Sequence, residues 1–329
     1  MNHIIHLNLN CHENNFYIFV FMSKSVLCIG ATLIDELYFC ENTIVTHSSN
    51  PAEKTTSIGG VISNIVQHLA LLDINVSLIT ALGSDGDASF ISNTFKNSGI
   101  SLQESTVADD STGKYISILN SDGNLFVSAC QDISPKYITI PFLESKADYI
   151  INFDIIVVDT NLDSKTIQWI IDLSRSHQKL LIIEPVSVPK ASKLSNLNLD
   201  GVYMITPNEE ELLAIASIET QTEKELIQSL LERGVTKIWL RKGHQGSVLH
   251  ERNQLTTLSV PSITIVDSTG AGDAALAGWI FGHIDGEDEL TSMQLGHSLA
   301  LEVLKIKGAV ESSMNREKLY QVKKIYYNE

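Results

Sequence analysis

Apolar residues along this chain fall into short unbroken runs separated by stretches with helical spacing, the pattern of strands alternating with helices. Val26-Leu27-Cys28-Ile29-Gly30 is an apolar run closed by glycine and predicts a buried first strand feeding a loop. Val61, Ile65, Leu69 and Leu72 then recur at helical spacing, and Val76 to Leu82 predicts another strand. Further on, Ile155 to Asp159, Lys179 to Glu184, Val202 to Thr206 and Lys237 to Arg241 predict strands. Helices are predicted near Ser164 to Ser174, after Pro207, and from Gly272 to Phe281, the last preceded by a β-like run at Ile263 to Val266. Repeated strand-helix units with apolar strands imply an α/β fold: a mainly parallel sheet covered by helices on both faces.

Two regions break the alternation. Lys114 to Asn120 and Leu125 to Cys130 flank the polar turn Ser121-Asp122-Gly123-Asn124 and predict a hairpin, because Asp-Gly is favoured where a turn needs positive φ. The polar stretch around residues 33–57 is likewise left over. The expectation is one core domain over residues 22–329 carrying a small, discontinuous β lid built from about 33–57 and 105–132. No internal repeat, low-complexity tract or Pro-rich linker divides it.

Composition narrows the partners. The chain has 329 residues, 43% hydrophobic and 19% charged, which is ample for a large core. Acidic residues outnumber basic ones 39 to 23, for a net charge of −16, so the average surface repels nucleic acid and anionic membrane faces. ATP is not barred, since a nucleotide arriving with Mg²⁺ is held locally by backbone NH groups and helix ends. Cys11, Cys28, Cys40 and Cys130 are scattered without a CxxC pair, which fits a reducing cytoplasm. The apolar run Phe16 to Met22 is far short of the roughly 20 residues of a membrane span and lacks a basic stretch before it. Residues 1–21 read as a leader or disordered tail, or as a misassigned start.

Candidate chemistry concentrates in Asp267-Ser268-Thr269-Gly270-Ala271-Gly272-Asp273, between the β-like run and a helix. Small residues at 270–272 let a ligand approach the backbone, and the NH groups of a first helical turn point at it with the positive end of the dipole. A carboxylate there would ordinarily cap the helix. Asp273 instead sits beside an anion hole, where a hydroxyl it accepted would be poised to attack phosphorus.

This string resembles the C-terminal signature of the PfkB or ribokinase family of carbohydrate and nucleoside kinases, which reads roughly Asp-Thr-Thr-Gly-Ala-Gly-Asp; only Ser268 departs. The family's first signature is also matched, by Gly59-Gly60, Asn64, a helix, and Leu82-Gly83-Ser84-Asp85-Gly86-Asp87. The resemblance runs from Val26 to about Met314 and implies a ribokinase-like fold. It also implies that Asp273 is the general base, that the amides of Gly270, Ala271 and Gly272 bind the migrating phosphoryl, and that Asp35, Gly59, Gly60 and Asn64 hold sugar hydroxyls. Taken alone, the glycine pair is a plain turn and Asn64 a polar residue early in a helix.

Pro207-Asn208-Glu209-Glu210-Glu211 resembles the family's Asn-x-x-Glu motif, which implies that Asn208 and Glu211 position Mg²⁺ through water; the alternative is an acidic first turn answering the helix dipole. Lys242, Gly243 and Gly246 match the family's nucleotide loop, with His244 a solvent-side residue. Asp267 and Thr269 match positions beside a monovalent cation, often K⁺, in many members, or else merely fix the turn.

Within the family, Glu184-Pro185-Val186-Ser187-Val188-Pro189-Lys190-Ala191 is similar to a run found in the pseudouridine-kinase branch, as are Ser57 to Ile65 and Asp159 to Leu162. That resemblance implies pseudouridine as acceptor, phosphorylated at its ribose 5′-hydroxyl, with Lys190 among the substrate contacts. Other sugar and nucleoside kinases, or a non-catalytic regulator on the same scaffold, are the competing readings. A Rossmann dehydrogenase is excluded because Gly30-Ala31-Thr32-Leu33 follows the first strand where GxGxxG is needed. Oligomeric state is left open, with an exposed lid sheet as the surface through which a homodimer would form.

Overall fold

The computed structural model describes residues 24–218 and 222–327; the expected leader over 1–21 lies outside them. The main sheet has eight strands: β1 (Val26–Ile29), β4 (Val76–Ile79), β9 (Ile155–Asp159), β10 (Leu180–Glu184), β11 (Val202–Ile205), β12 (Lys237–Arg241), β13 (Ser247–Glu251) and β14 (Leu255–Leu258). Their order is β14-β13-β12-β11-β10-β9-β1-β4. All pairs from β4 to β12 are parallel, and the β12-β13-β14 end is antiparallel.

Alternation along the parallel strands divides the interior into two cores, because successive side chains point to opposite faces. Val26, Cys28, Ile155, Val157 and Ile182 face one core, packed by the helices α1 (Val61–Leu71), α2 (Gly86–Asn97), α6 (Ala271–Asp285) and α7 (Glu289–Val303). Leu27, Ile29, Ile156, Val158, Leu181 and Ile183 face the other, packed by α3 (Ser164–Ser176), α4 (Glu209–Ala216) and α5 (Glu223–Glu232). A last helix, α8 (Arg316–Tyr327), covers the first core through Leu319. Helices on both faces of a mostly parallel sheet give the α/β architecture expected.

A separate four-stranded sheet is made of β2 (Leu33–Cys40), β3 (Ala52–Gly59), β7 (Lys114–Leu119) and β8 (Leu125–Gln131), in the order β3-β2-β7-β8. The hairpin around Gly123, at φ 83°, supplies its last two strands. The strand expected over Val76 to Leu82 is interrupted at Thr80: β5 (Ala81–Leu82) leaves the main sheet and pairs with β6 (Thr106–Val107). Periodicity could not show this break, since both halves are equally buried.

Helix α6 is buried at every position from Asp273 to Gly282, so no face is left for solvent. It approaches α7 closely because both present glycine: a Cβ at Gly278 would lie 2.8 Å from Gly296 Cα. Replacing Gly278→Val should therefore force the two backbones apart and cost about 3 kcal/mol of stability. Urea unfolding checks this; a loss under about 0.5 kcal/mol would mean that the helices have slack at this crossing.

Candidate active site

The residues singled out in the sequence converge at the carboxyl ends of the parallel strands, where open α/β sheets place their ligand crevices. The approach to Asp267 differs from expectation. Ile263 to Val266 do not form a strand; Ile265 and Val266 are 58% and 55% exposed, and Val266 N donates to Leu304 O at 2.8 Å. β-branched residues favour extended backbone, but this segment pairs with no strand and runs as an exposed loop held at its end by Leu304.

The turn that follows is tied down on both sides. Asp267 Oδ1 accepts from Thr269 N at 2.9 Å and from Thr269 Oγ1 at 2.8 Å, while its Oδ2 accepts from Gly308 N at 3.0 Å. Gly270 caps α6 at φ 75° with no side-chain hydrogen bond, and a Cβ on it would lie 2.5 Å from Ala309 Cβ. Gly272 is less tightly bound to be glycine, since a Cβ there would meet only the end of the Arg241 side chain, at 2.6 Å from Nη1. The helix thus starts at Ala271 and Gly272 beside a guanidinium, a pairing suited to an anion, with Ala271 N giving only a long 3.4 Å bond to Ser268 O.

Asp273 is buried on the first turn of α6 and accepts a hydrogen bond from Asn64 Nδ2 at 2.8 Å. Burial pushes its carboxyl up to about 7, helped by the negative charge of Glu184 and opposed by Asn64 and Arg241. A carboxyl poised near neutrality is what a proton acceptor needs. Asn64 lies early in α1, directly after Gly59 and Gly60. Gly60 sits at φ 97° with Ala31 O 2.4 Å from where its Cβ would be, and a Cβ on Gly59 would strike the Asp35 carboxylate at 2.1 Å. Neither position has room for a side chain. Asp35 is pushed up to about 6 by burial.

Glu184 and Arg241 are functional candidates that the sequence reading missed. Arg241 Nη2 donates to Glu184 Oε2 at 2.5 Å, and its Nε to Thr206 O at 3.0 Å. Thr206 Oγ1 donates to the same Glu184 oxygen. Each closes a predicted apolar strand, and a charge at the carboxyl end of a buried parallel strand was the available signal. Asn208 and Glu211 form a capping box at the start of α4, each side chain bonding the other's backbone NH, a local role that the sequence reading had not assigned to them. Burial raises the Glu211 carboxyl.

A second polar group lies at the ends of β9 and β10. Asp159 is fully buried, accepts from Ala31 N at 3.1 Å and from Asn161 N at 3.0 Å, and is pushed up to about 7, chiefly by burial. Lys190 Nζ donates to Asn161 Oδ1, and Lys193 Nζ donates to the carbonyls of Thr160, Asn161 and Leu162. Val186 adopts φ 68°, costly backbone for a β-branched residue and a mark of a functionally constrained loop.

The nucleotide-loop candidates divide. Gly243 has φ 54° and open space around it, whereas Gly246 has Leu258 O 2.1 Å from where its Cβ would be, so packing against β14 alone requires glycine there. Lys242 Nζ is paired with Glu223.

Because Asp273 binds its proton more tightly in the fold than the ordinary value of 3.8, its contribution to stability falls as pH rises from about 4 through about 7. Asp273→Asn should therefore raise Tm at pH 8, with the gain shrinking towards pH 5, as read by thermal unfolding at both values. A gain of equal size at both would show that the carboxyl is not the source.

Comparison with known proteins agrees with this arrangement. The model of the pfkB family carbohydrate kinase matches residues 23–316. The pseudouridine kinase of Escherichia coli is 26% identical over 266 residues, covering 79% of this chain and 84% of that protein. A Staphylococcus aureus ribokinase is 22% identical over 92% of this chain and its own full length. Among solved structures, Arabidopsis thaliana ribokinase complexed with ribose and ATP superposes with a TM-score of 0.78 at 19% identity, covering 92% of this chain and 99% of its own. A carbohydrate kinase from Agrobacterium tumefaciens gives 0.78 at 22% identity over 92% and 98%. With nearly the whole described chain matched and a buried acid beside an open helix start at its centre, this protein belongs to the PfkB family of carbohydrate kinases.

Proposed function

We propose that this chain transfers the γ-phosphoryl group of ATP to the ribose 5′-hydroxyl of pseudouridine, with Asp273 as general base. The observation that carries the chemistry is the Asp273 carboxyl itself: buried, poised near neutrality, and joined to Asn64 beside the glycine pair. Asp35, Gly59, Gly60 and Asn64 hold the ribose hydroxyls. Asp273 takes the hydroxyl proton as the acceptor oxygen bonds to phosphorus and the bond to the β-phosphate oxygen breaks, releasing ADP. The amides of Gly270, Ala271 and Gly272, with Arg241 beside them, receive the charge on the transferred oxygens.

Mg²⁺, when bound, neutralises the nucleotide phosphates. Among the described residues no group of three or more His, Cys, Asp or Glu side chains is arranged to hold a metal directly. Asn208 and Glu211, whose oxygens are partly engaged in the capping box, fit such an ion through its waters. Lys242 and Gly243 lie with the nucleotide. The hydrogen bonds of Asp267 and Thr269 account for both residues without an ion, and no step is routed through K⁺.

Pseudouridine rests on the loop after β10. Lys190, on the short helix Val188–Ala191 that follows β10, and Asn161, just past β9, give paired donor and acceptor groups, a chemistry suited to the amide edges of a uracil ring, and the similarity to the Escherichia coli enzyme points the same way. The sheet β3-β2-β7-β8 acts as a lid that carries Asp35 and excludes water on closing. Its strand β8 is exposed along its length and is the surface through which a second copy would pair. The cysteines Cys28, Cys40 and Cys130 are all free, in keeping with the cytoplasm.

In the free enzyme kcat/KM should rise with pH through about 7 as Asp273 loses its proton. Glu184→Gln removes a like charge and should move that limb to lower pH, whereas Asp273→Asn should cost on the order of 10²-fold or more in turnover at unchanged fold. A limb unmoved by Glu184→Gln would detach it from Asp273. Acceptor identity is tested by ADP release with pseudouridine, uridine, adenosine, ribose and fructose. Pseudouridine should give the highest kcat/KM; a better acceptor in the panel overturns the substrate, and ADP from none of them overturns the kinase.

A further inference from the structure

Helix α1 carries a second polar side chain on the face that bears Asn64. His68, one turn further along, is wholly buried, and its Nε2 lies 3.0 Å from Ala309 O. A carbonyl only accepts, so Nε2 carries the proton and donates. The other ring nitrogen, Nδ1, is buried without a partner. Burial holds His68 down at about 4, so the ring stays neutral and the donor is fixed through the working pH range. A neutral imidazole buried for a single hydrogen bond is expensive packing, since an apolar residue would fill the space without an orphaned nitrogen.

Ala309 explains the expense. It belongs to the loop between α7 and α8 that lies against the anion-hole turn: it sits where a Gly270 Cβ would be, and Gly308 N donates to Asp267 Oδ2. The two side chains on one face of α1 therefore reach the two ends of the same turn. Asn64 bonds the Asp273 carboxylate directly, and His68 holds the loop on which Gly270 rests.

We infer that His68 is a positioning residue for phosphoryl transfer, which locks the Ala309 loop under Gly270 so that the anion hole stays in register with Asp273 and with the acceptor held on α1. This rests on the reading of Gly270 to Gly272 as the anion hole and on no particular acceptor. The clamp acts on where the transferred oxygens sit, and leaves ground-state binding of either substrate to other groups.

The test compares His68→Leu, which removes the donor, with His68→Gln, whose amide nitrogen reaches to a similar position. His68→Leu should lower kcat about tenfold with KM for ATP and acceptor within about twofold, and His68→Gln should restore most of kcat. Amide hydrogen exchange of the segment from Val266 to Ala274 should be faster in His68→Leu than in wild type and near normal in His68→Gln. If leucine prevents folding, His68→Met serves as the apolar variant. Wild-type kcat and exchange in the apolar variant, or equal impairment of both variants at matched Tm, would overturn the role. Should wild type phosphorylate no acceptor, the exchange comparison alone decides the clamp, and the kinase reading falls separately.

Discussion

The hydrogen bond from Asn64 to Asp273 joins two helices that the chain makes more than two hundred residues apart, and the site is assembled around it. α6 brings a carboxylate into the interior on its first turn, and burial there makes the charge costly. α1 brings the polar group that shares that cost, and with it the glycine pair whose missing side chains leave room against Asp35 and Ala31. Asn64 and Asp273 are thereby fixed in one frame, the condition that the proposed in-line transfer requires.

Charge in the crevice runs against the intuition that a polyphosphate site should be plainly basic. Asp273, Glu184 and Asp159 converge at neighbouring strand ends in a chain of net charge −16. The cations nearby are already engaged: Arg241 with Glu184, Lys190 with Asn161, Lys242 with Glu223. Burial is what chiefly brings the Asp273 and Asp159 carboxyls towards neutrality, and the neighbouring acids add to it.

Glycine has separate causes at separate places in this site. Gly270, Gly60 and Gly246 combine positive φ with close backbone neighbours, whereas Gly272 makes way for the end of the Arg241 side chain. A motif written as a string of glycines conceals these distinctions.

By itself the sequence determined the alternating strands and helices, the hairpin at Gly123, and the segment from Asp267 to Asp273, because local periodicity and turn chemistry act over a few residues and leave their trace in order. Even there, Val76 to Leu82 and Ile263 to Val266 misled, since apolar β-branched residues satisfy a strand pattern whether or not a neighbouring edge exists to pair with. The tertiary structure alone decided that Asn64 meets Asp273, that Glu184 and Arg241 face each other beside Gly272, and that His68 holds Ala309. Those pairings join residues distant in sequence, and their energies arise from burial that no short window of residues can express.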